Sequence, residues 1–443
     1  MMTGDNFNLS LGEATNQRMN GITILRYADI SKPSNAGGLE QYLYDLNRKL
    51  LERSNMTIIQ MHTVENNCHD IQVENVGQGK LIWVPSISKK VEKPGAFDKR
   101  NVKFLIKRFL NAHIMHNQAL LFLKNRFVIK NEFNLHYYSV SNERVIEMFD
   151  RYNLDLVAFH WISEDSKQVL QRAILGKIPF VMINHFDNER YKLKGVRKWV
   201  PHAAGCGGVS NANVPRYLGS KFVNLSDGID TEFFRPDKAK PLSLGFSDPF
   251  VFMPSRITPR KGHLDVVQAT ALLRSWGVRA KVVFAGSEDP AAFGEELKSF
   301  IDKLGIQDNV IFVGRLSAPN LRDWYGASTV VVLPSYSEGL PRVLLEAQAM
   351  GKPVIAYDAG GVSEAMKDRE TGYLVRKGNF RSLADKMREL LSSDNERIEM
   401  GRRGENFIAN QFSLSGLARR HEDFYLNALS SAPGKGSLWE RPE

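Results

Sequence analysis

Five apolar runs recur over residues 250–358: FVFMPSRI, AKVVFAGS, NVIFVGRL, TVVVLPS and PVIAYD. Four segments of helical length, 262–276, 291–304, 320–327 and 341–350, separate them. An unbroken apolar run is what a strand shows when both of its faces are buried. Parallel sheets bury both faces because their crossover helices cover them, whereas a one-sided antiparallel sheet alternates. The pattern therefore predicts a doubly wound α/β unit for the second half. The first half shows the same alternation less regularly, with GITILRYADI, MTIIQMH, LIWVPS, LDLVAFHW, IPFVMINH and GCGGVS as strands. Between the first two, Leu39, Tyr42, Leu43, Leu46 and Leu50 fall on one face of a helix. Helices are also expected over 99–130, over 164–175 and in the polar stretch after IPFVMINH.

A chain of 443 residues is too long for one ordinary core. The expected fold is α/β, with two Rossmann-like, doubly wound domains facing across a cleft. The expected division is a disordered tail over 1–20, a first domain over 21–235 and a second over 236–411. A helix over 412–430 then crosses back to the first domain, and a disordered tail covers 431–443. Cys68 and Cys206 have no partner at metal-ligand spacing and read as two small buried hydrophobes. The first twenty residues carry no basic-then-apolar signal, and no run reaches the roughly 18 apolar residues of a spanning helix. A soluble, cytoplasmic protein is the expectation.

In open α/β sheets, ligands sit outside the carboxyl ends of the strands. Arg256 and Lys261 follow the strand at 250–257, in SRITPRKG, and Glu338 follows the strand at 329–335. Glu346 lies two turns further on, inside the next helix. Gly339 lets a ligand approach the backbone, and Pro341 suits a helix start. A helix start offers free N–H groups and positive potential to a phosphate. A carboxylate accepts two charge-assisted hydrogen bonds from a diol, and ribose and sugars are diols. The constellation thus reads as a site for ribose, diphosphate and sugar. The plain alternative makes Glu338 a helix cap and Glu346 a solvated surface acid.

These motifs resemble the retaining family 4 glycosyltransferases of the GT-B fold. The family's E-x7-E is met by Glu338 and Glu346, and its Arg…Lys-Gly pair by Arg256, Lys261 and Gly262. LEAQAMGKPVIAYDAGG and SDGIDTEFFRP also match, the latter with Asp227 where Asn is usual. The resemblance covers about 209–429 well and the first half in outline. It implies that Arg256 and Lys261 bind the donor diphosphate and stabilise the leaving group. Glu346 would hold the ribose, and Glu338 the transferred sugar. The backbone of Gly339, Leu340, Pro341 and Arg342 would touch sugar or phosphate, and Gly314, Arg315 and Leu316 would flank the base. In the first half, Gly37 and Gly38 match the family's glycine-rich loop near diphosphate and acceptor. His185 stands where the family has an active-site histidine, while His160 reads as structural. The family often has EGFG where this chain has EGLP, which leaves the donor open.

The function implied is retaining transfer of a sugar from a nucleoside-diphosphate sugar to a hydroxyl of a glycan or lipid-linked acceptor, in surface polysaccharide or glycolipid synthesis. With no D-x-D in the chain, no metal or other cofactor is expected. Rivals are a nucleotide-sugar epimerase or phosphorylase on the same fold, and a non-catalytic binder of anionic membranes or polymers. The last draws on residues 89–131, where eleven Lys or Arg stand against Glu92 and Asp98, a local balance of +9 against +10 for the chain. Such a segment suits an anionic membrane surface, hence peripheral attachment at the inner face of the membrane. No nucleic-acid motif accompanies it, so no specific nucleic-acid partner is expected.

Overall fold

A computed structural model describes residues 21–30, 38–64, 71–90, 138–140, 142–160, 166–185, 194–212, 214–288 and 291–431. Outside them lie both tails, Gly37, Cys68, the helix expected over 99–130 with nearly all of the basic stretch, and residues 186–193 of the expected polar helix.

The first lobe is built on a nine-stranded sheet among the described residues. Its strands are β1 (Thr23–Ile30), β2 (Thr57–Val64), β3 (Gln72–Val76), β4 (Gly79–Lys90), β5 (Tyr138–Val140), β6 (Leu156–Phe159), β7 (Phe180–Asn184), β8 (Gly205–Gly208) and β9 (Phe222–Asn224). They run in the order β3-β4-β2-β1-β6-β7-β8-β9, with β5 beside β4. The pairs from β4 through β9 are parallel, and β3 and β5 join β4 antiparallel. Helix α1 (Gly38–Arg53) covers one face. Its Tyr42, Leu43, Leu46 and Leu50 are buried as the heptad-like spacing requires. Each fully buried leucine contributes about 1.5–3 kcal/mol. Helices α2 (Asn142–Arg151), α3 (Lys167–Leu175) and the short α4 (Lys194–Arg197) complete the described helices of this half.

The second lobe holds a six-stranded, all-parallel sheet, ordered β12-β11-β10-β13-β14-β15. Its elements alternate: β10 (Phe250–Pro254), α5 (His263–Ser275), β11 (Lys281–Ala285), α6 (Ala291–Lys303), β12 (Val310–Gly314), α7 (Ala318–Ala327), β13 (Val330–Leu333), α8 (Arg342–Ala349), β14 (Val354–Tyr357), α9 (Val362–Ala365) and β15 (Gly372–Val375). Helices α10 (Phe380–Ser392) and α11 (Asp394–Gln411) close it. Separate apolar clusters lie on the two faces of each sheet, and one of them runs through Leu225, Ile229 and Phe234 from the first sheet to the second.

The last helix, α12 (Leu414–Ser430), packs on the first lobe. Arg53 holds Glu422 through two hydrogen bonds of 3.1 and 3.3 Å. Phe424 lies over β8, where the ring would stand 2.8 Å from a Cβ on Gly205. That close fit explains a strand as bare as GCGG. The two lobe crossings touch where Ile229 N–H donates to Phe412 O at 2.7 Å.

Candidate active site

In the second lobe the chain builds outward from β10 to β11 and β12, then returns to add β13 on the other side of β10. The switch point therefore lies between β10 and β13, where open sheets form a crevice at the carboxyl ends. Arg256 and Lys261 follow β10, and Glu338 follows β13. Adjacent parallel strands bring both loops to one edge, as the sequence requires.

Main-chain and side-chain bonds join the two loops. Tyr336 N–H donates to Arg260 O at 2.8 Å, and Arg260 Nη1 donates to Ser337 O at 2.6 Å. Asp265, near the start of α5, accepts from Tyr336 OH at 2.7 Å and Tyr357 OH at 3.0 Å, which pins the Glu338 loop from below. Gly262 adopts φ +79°, and a Cβ there would lie 2.1 Å from Pro334 O. Only glycine allows the Lys261 turn to press so closely on β13. Lys261 Nζ then meets Glu338 Oε1 at 2.5 Å, with the side chains 15% and 11% exposed. Burial raises the Glu338 carboxyl, but the Lys261 and Arg260 cations outweigh it and hold it below its ordinary value. Arg256 is exposed on the same strand end.

Helix α8 begins at Arg342, with Pro341 at the N-cap and no side-chain cap. Glu338 is thus not its cap. Glu346 is 8% exposed, so the solvated alternative fails too. Tyr325 OH donates to Glu346 Oε2 at 3.0 Å, and Arg342 Nε lies 3.7 Å from Oε1. Arg342 itself bridges the lobes: Nη2 donates to Asp45 Oδ2 of α1 at 3.0 Å and Nη1 to Asp227 Oδ1 of the connector at 2.9 Å. Gly339, Leu340 and Pro341 are buried between these groups. Gly314 and Arg315 are exposed and Leu316 half-buried at the end of β12, two strands from the crevice on the same edge.

Burial pushes the Glu346 carboxyl from its ordinary 4.5 to about 7, with Arg342 opposing. A carboxyl raised on folding contributes stability that is complete below about pH 4.5 and disappears as pH rises through about 7. The swing amounts to about 3 kcal/mol. The melting temperature of the wild type should therefore fall relative to that of Glu346→Gln as pH rises from 4.5 to 8. A difference independent of pH would show that Glu346 does not titrate there.

His185 follows β7 and His160 follows β6. Their Nε2 and Nδ1 lie 2.8 Å apart, and the rings stack at 5.1 Å. The Tyr42 ring stands edge-on to His185 at 4.6 Å. Tyr42 OH also lies 2.9 Å from His421 Nε2 of α12. Burial, reinforced by Arg26, lowers His185 to about 3 and holds His160 well below its ordinary value. Both rings are neutral at physiological pH. In the sequence His160 reads as structural; the structure joins it to His185. Arg260, Asp45, Asp227 and Tyr325 were likewise not singled out for the site, although Arg260 sits inside SRITPRKG and Asp227 departs from the usual Asn. Gly38 opens α1, and Gly37 lies outside the described residues. Cys206 is buried and its thiol is pushed up to about 12, so it offers no nucleophile. Among the described residues no three or more His, Cys, Asp or Glu cluster as metal ligands, and no helix is long and apolar enough to cross a membrane.

Residues 235–407 match the family described as glycosyl transferases group 1. A GDP-mannose-dependent alpha-(1-6)-phosphatidylinositol monomannoside mannosyltransferase of Mycobacterium tuberculosis is 32% identical over 213 residues, covering 45% of this chain and 54% of the relative. The capsular polysaccharide biosynthesis glycosyltransferase CapM of Staphylococcus aureus is 29% identical over 215 residues, covering 47% and 55%. The chain thus spans about half the length of the curated relatives it matches. Sucrose-phosphate synthase from Thermosynechococcus elongatus superposes with a TM-score of 0.66 at 19% identity, over 91% of this chain and 98% of that one. The two-sheet architecture is therefore the GT-B fold.

Proposed function

We propose that the protein, whose second lobe matches the family of glycosyl transferases group 1, transfers a sugar from a nucleoside-diphosphate sugar to a hydroxyl of a glycan or lipid-linked acceptor. The observation that carries this reading is the Lys261–Glu338 pair at the β10/β13 switch point. A cation and a diol-binding carboxylate, held together beside the start of α8, match a phosphate and the sugar it carries. Lys261 and Arg256 take the diphosphate and stabilise it as it leaves. Glu338 orients the sugar. Glu346 takes the ribose, and Gly314, Arg315 and Leu316 flank the base. Gly37 and Gly38 approach the diphosphate from the first lobe, and neutral His185 faces the sugar.

Transfer proceeds with retention. The leaving phosphate departs on the face where the acceptor hydroxyl attacks and takes its proton. Fixed cations and backbone dipoles supply the positive charge, so the reaction needs no metal. Surface glycolipid or polysaccharide synthesis is the proposed setting: two relatives are a phosphatidylinositol monomannoside mannosyltransferase and a capsular polysaccharide glycosyltransferase, and the basic stretch at 89–131 suits work beside an anionic membrane.

The test is transfer from UDP-, GDP- and ADP-sugars, with and without EDTA, to glycan and lipid acceptors. Glu346→Ala should weaken donor binding, and Glu338→Ala should mainly slow turnover. Wild-type kinetics in both variants would sink the site assignment, and activity lost with EDTA would sink metal independence. A changed sugar released without any acceptor would favour an epimerase.

A further inference from the structure

The first lobe has its own switch point. The chain builds β1, β2 and β4 in one direction, then adds β6 on the other side of β1. Arg26 of β1 pairs in register with Ala158 of β6, so it stands on that boundary. Its side chain is fully buried. Nη2 donates to Tyr425 OH at 3.1 Å, and the guanidinium lies 5.7 Å from that ring's centre. Nε and Nη1 have no hydrogen-bond partner, and no ion pair is made with any carboxylate among the described residues. Across the boundary, Nε2 of buried His160 is also unpartnered.

A buried guanidinium without a counter-ion is costly, because water or a hydroxyl can satisfy an N–H group but cannot neutralise the charge. Folds keep such a group where a ligand supplies the missing charge. Beside the crevice at the carboxyl ends, two unused guanidinium nitrogens ask for oxygen acceptors, and His160 Nε2 does so too in the tautomer in which its Nδ1 accepts from His185. A planar guanidinium matches an oxyanion of the phosphate class, which it can hold through paired bonds. Half-exposed His185, bonded to His160, marks where this cluster meets solvent.

We propose that Arg26 is an anion-binding residue of the first lobe and that it recognises a phosphate-class oxyanion carried by the acceptor. This rests on the first lobe being the acceptor side of a sugar transferase. The anion can come from a lipid headgroup or from a free phosphate compound.

The full chain, wild type and Arg26→Met, is titrated with inorganic phosphate at constant ionic strength and followed by melting temperature. Phosphatidylcholine vesicles with and without phosphatidylinositol form a second arm. Phosphate or the inositol lipid should raise the wild-type melting temperature saturably. Arg26→Met should weaken that response about tenfold or more. In phosphate-free buffer it should melt no lower than the wild type, since an unpaired charge has gone. A response to the vesicles alone assigns the anion to a headgroup, and a response to phosphate assigns it to a soluble group. Should Arg26→Met not fold, Arg26→Lys keeps the charge, loses the fork and should weaken the response several-fold. No wild-type response in either arm, or an unchanged response in the variant, overturns the proposal. UDP and GDP are titrated in parallel. Their binding should survive Arg26→Met, and failure of either nucleotide to bind the wild type would count against the transferase reading instead.

Discussion

Lys261→Met is expected to lower the kcat of sugar transfer about 10²–10³-fold, the loss that follows removal of one fixed donor from a developing anion. Methionine keeps the length of the side chain and discards its charge. On the proposed reading, the departing diphosphate then loses one fixed cation, while Arg256 and the start of α8 remain. The Glu338 carboxylate, 11% exposed, also loses the partner 2.5 Å away. Its pKa rises, because burial is then opposed by Arg260 without Lys261. Breaking a largely buried pair costs about 3 kcal/mol in stability, so a melt should accompany the kinetics. Rapid-quench single turnover separates the two effects: donor affinity should change less than the chemical step. A variant within threefold of the wild-type kcat would remove Lys261 from the leaving-group role.

Arg342→Met should have the largest effect on stability. The guanidinium lies among Asp45, Asp227 and Glu346, which belong to the first lobe, the connector and α8. Without it, the buried Asp227 and Glu346 and the partly buried Asp45 repel one another without the cation between them, and a loss of about 3–5 kcal/mol is expected. Its pH dependence identifies the cause. Burial already raises Asp45 and Asp227 above their ordinary values, with Arg342 opposing, and Glu346 stands at about 7. Loss of Arg342 raises all three further. The native state then binds more protons than the unfolded chain, so stability falls as pH rises. The deficit in melting temperature should be greatest near pH 8 and shrink toward pH 5. A deficit that is constant across this range would point to lost packing alone.

The second lobe was nearly all legible because each of its central strands buries both faces and so reads as an apolar run. Strand β3 was not: QVENV is exposed at four of its five positions and sits on the sheet's edge, with no apolar alternation to betray it. The Lys261–Glu338 meeting could be anticipated, since strand direction alone brings two consecutive carboxyl ends to one edge. The Arg342 cluster could not. Its partners lie 297 and 115 residues away, and nothing local in DLNRK or SDGID marks them as destined for a shared cation. His160 was set aside for a related reason. AFHW places a ring at the end of a strand but says nothing of a second ring 25 residues on.

Helix α12 follows the whole of the second lobe in sequence yet lends Phe424 and Tyr425 to the core of the first. Synthesis therefore reverses the usual order of assembly: β1 and α1 emerge early but wait, with one side uncovered, until residues 414–430 have been made. The second lobe, contiguous in sequence, can close before them. A nascent chain halted ahead of α12 would present an open hydrophobic sheet to chaperones, even though its second lobe is already complete.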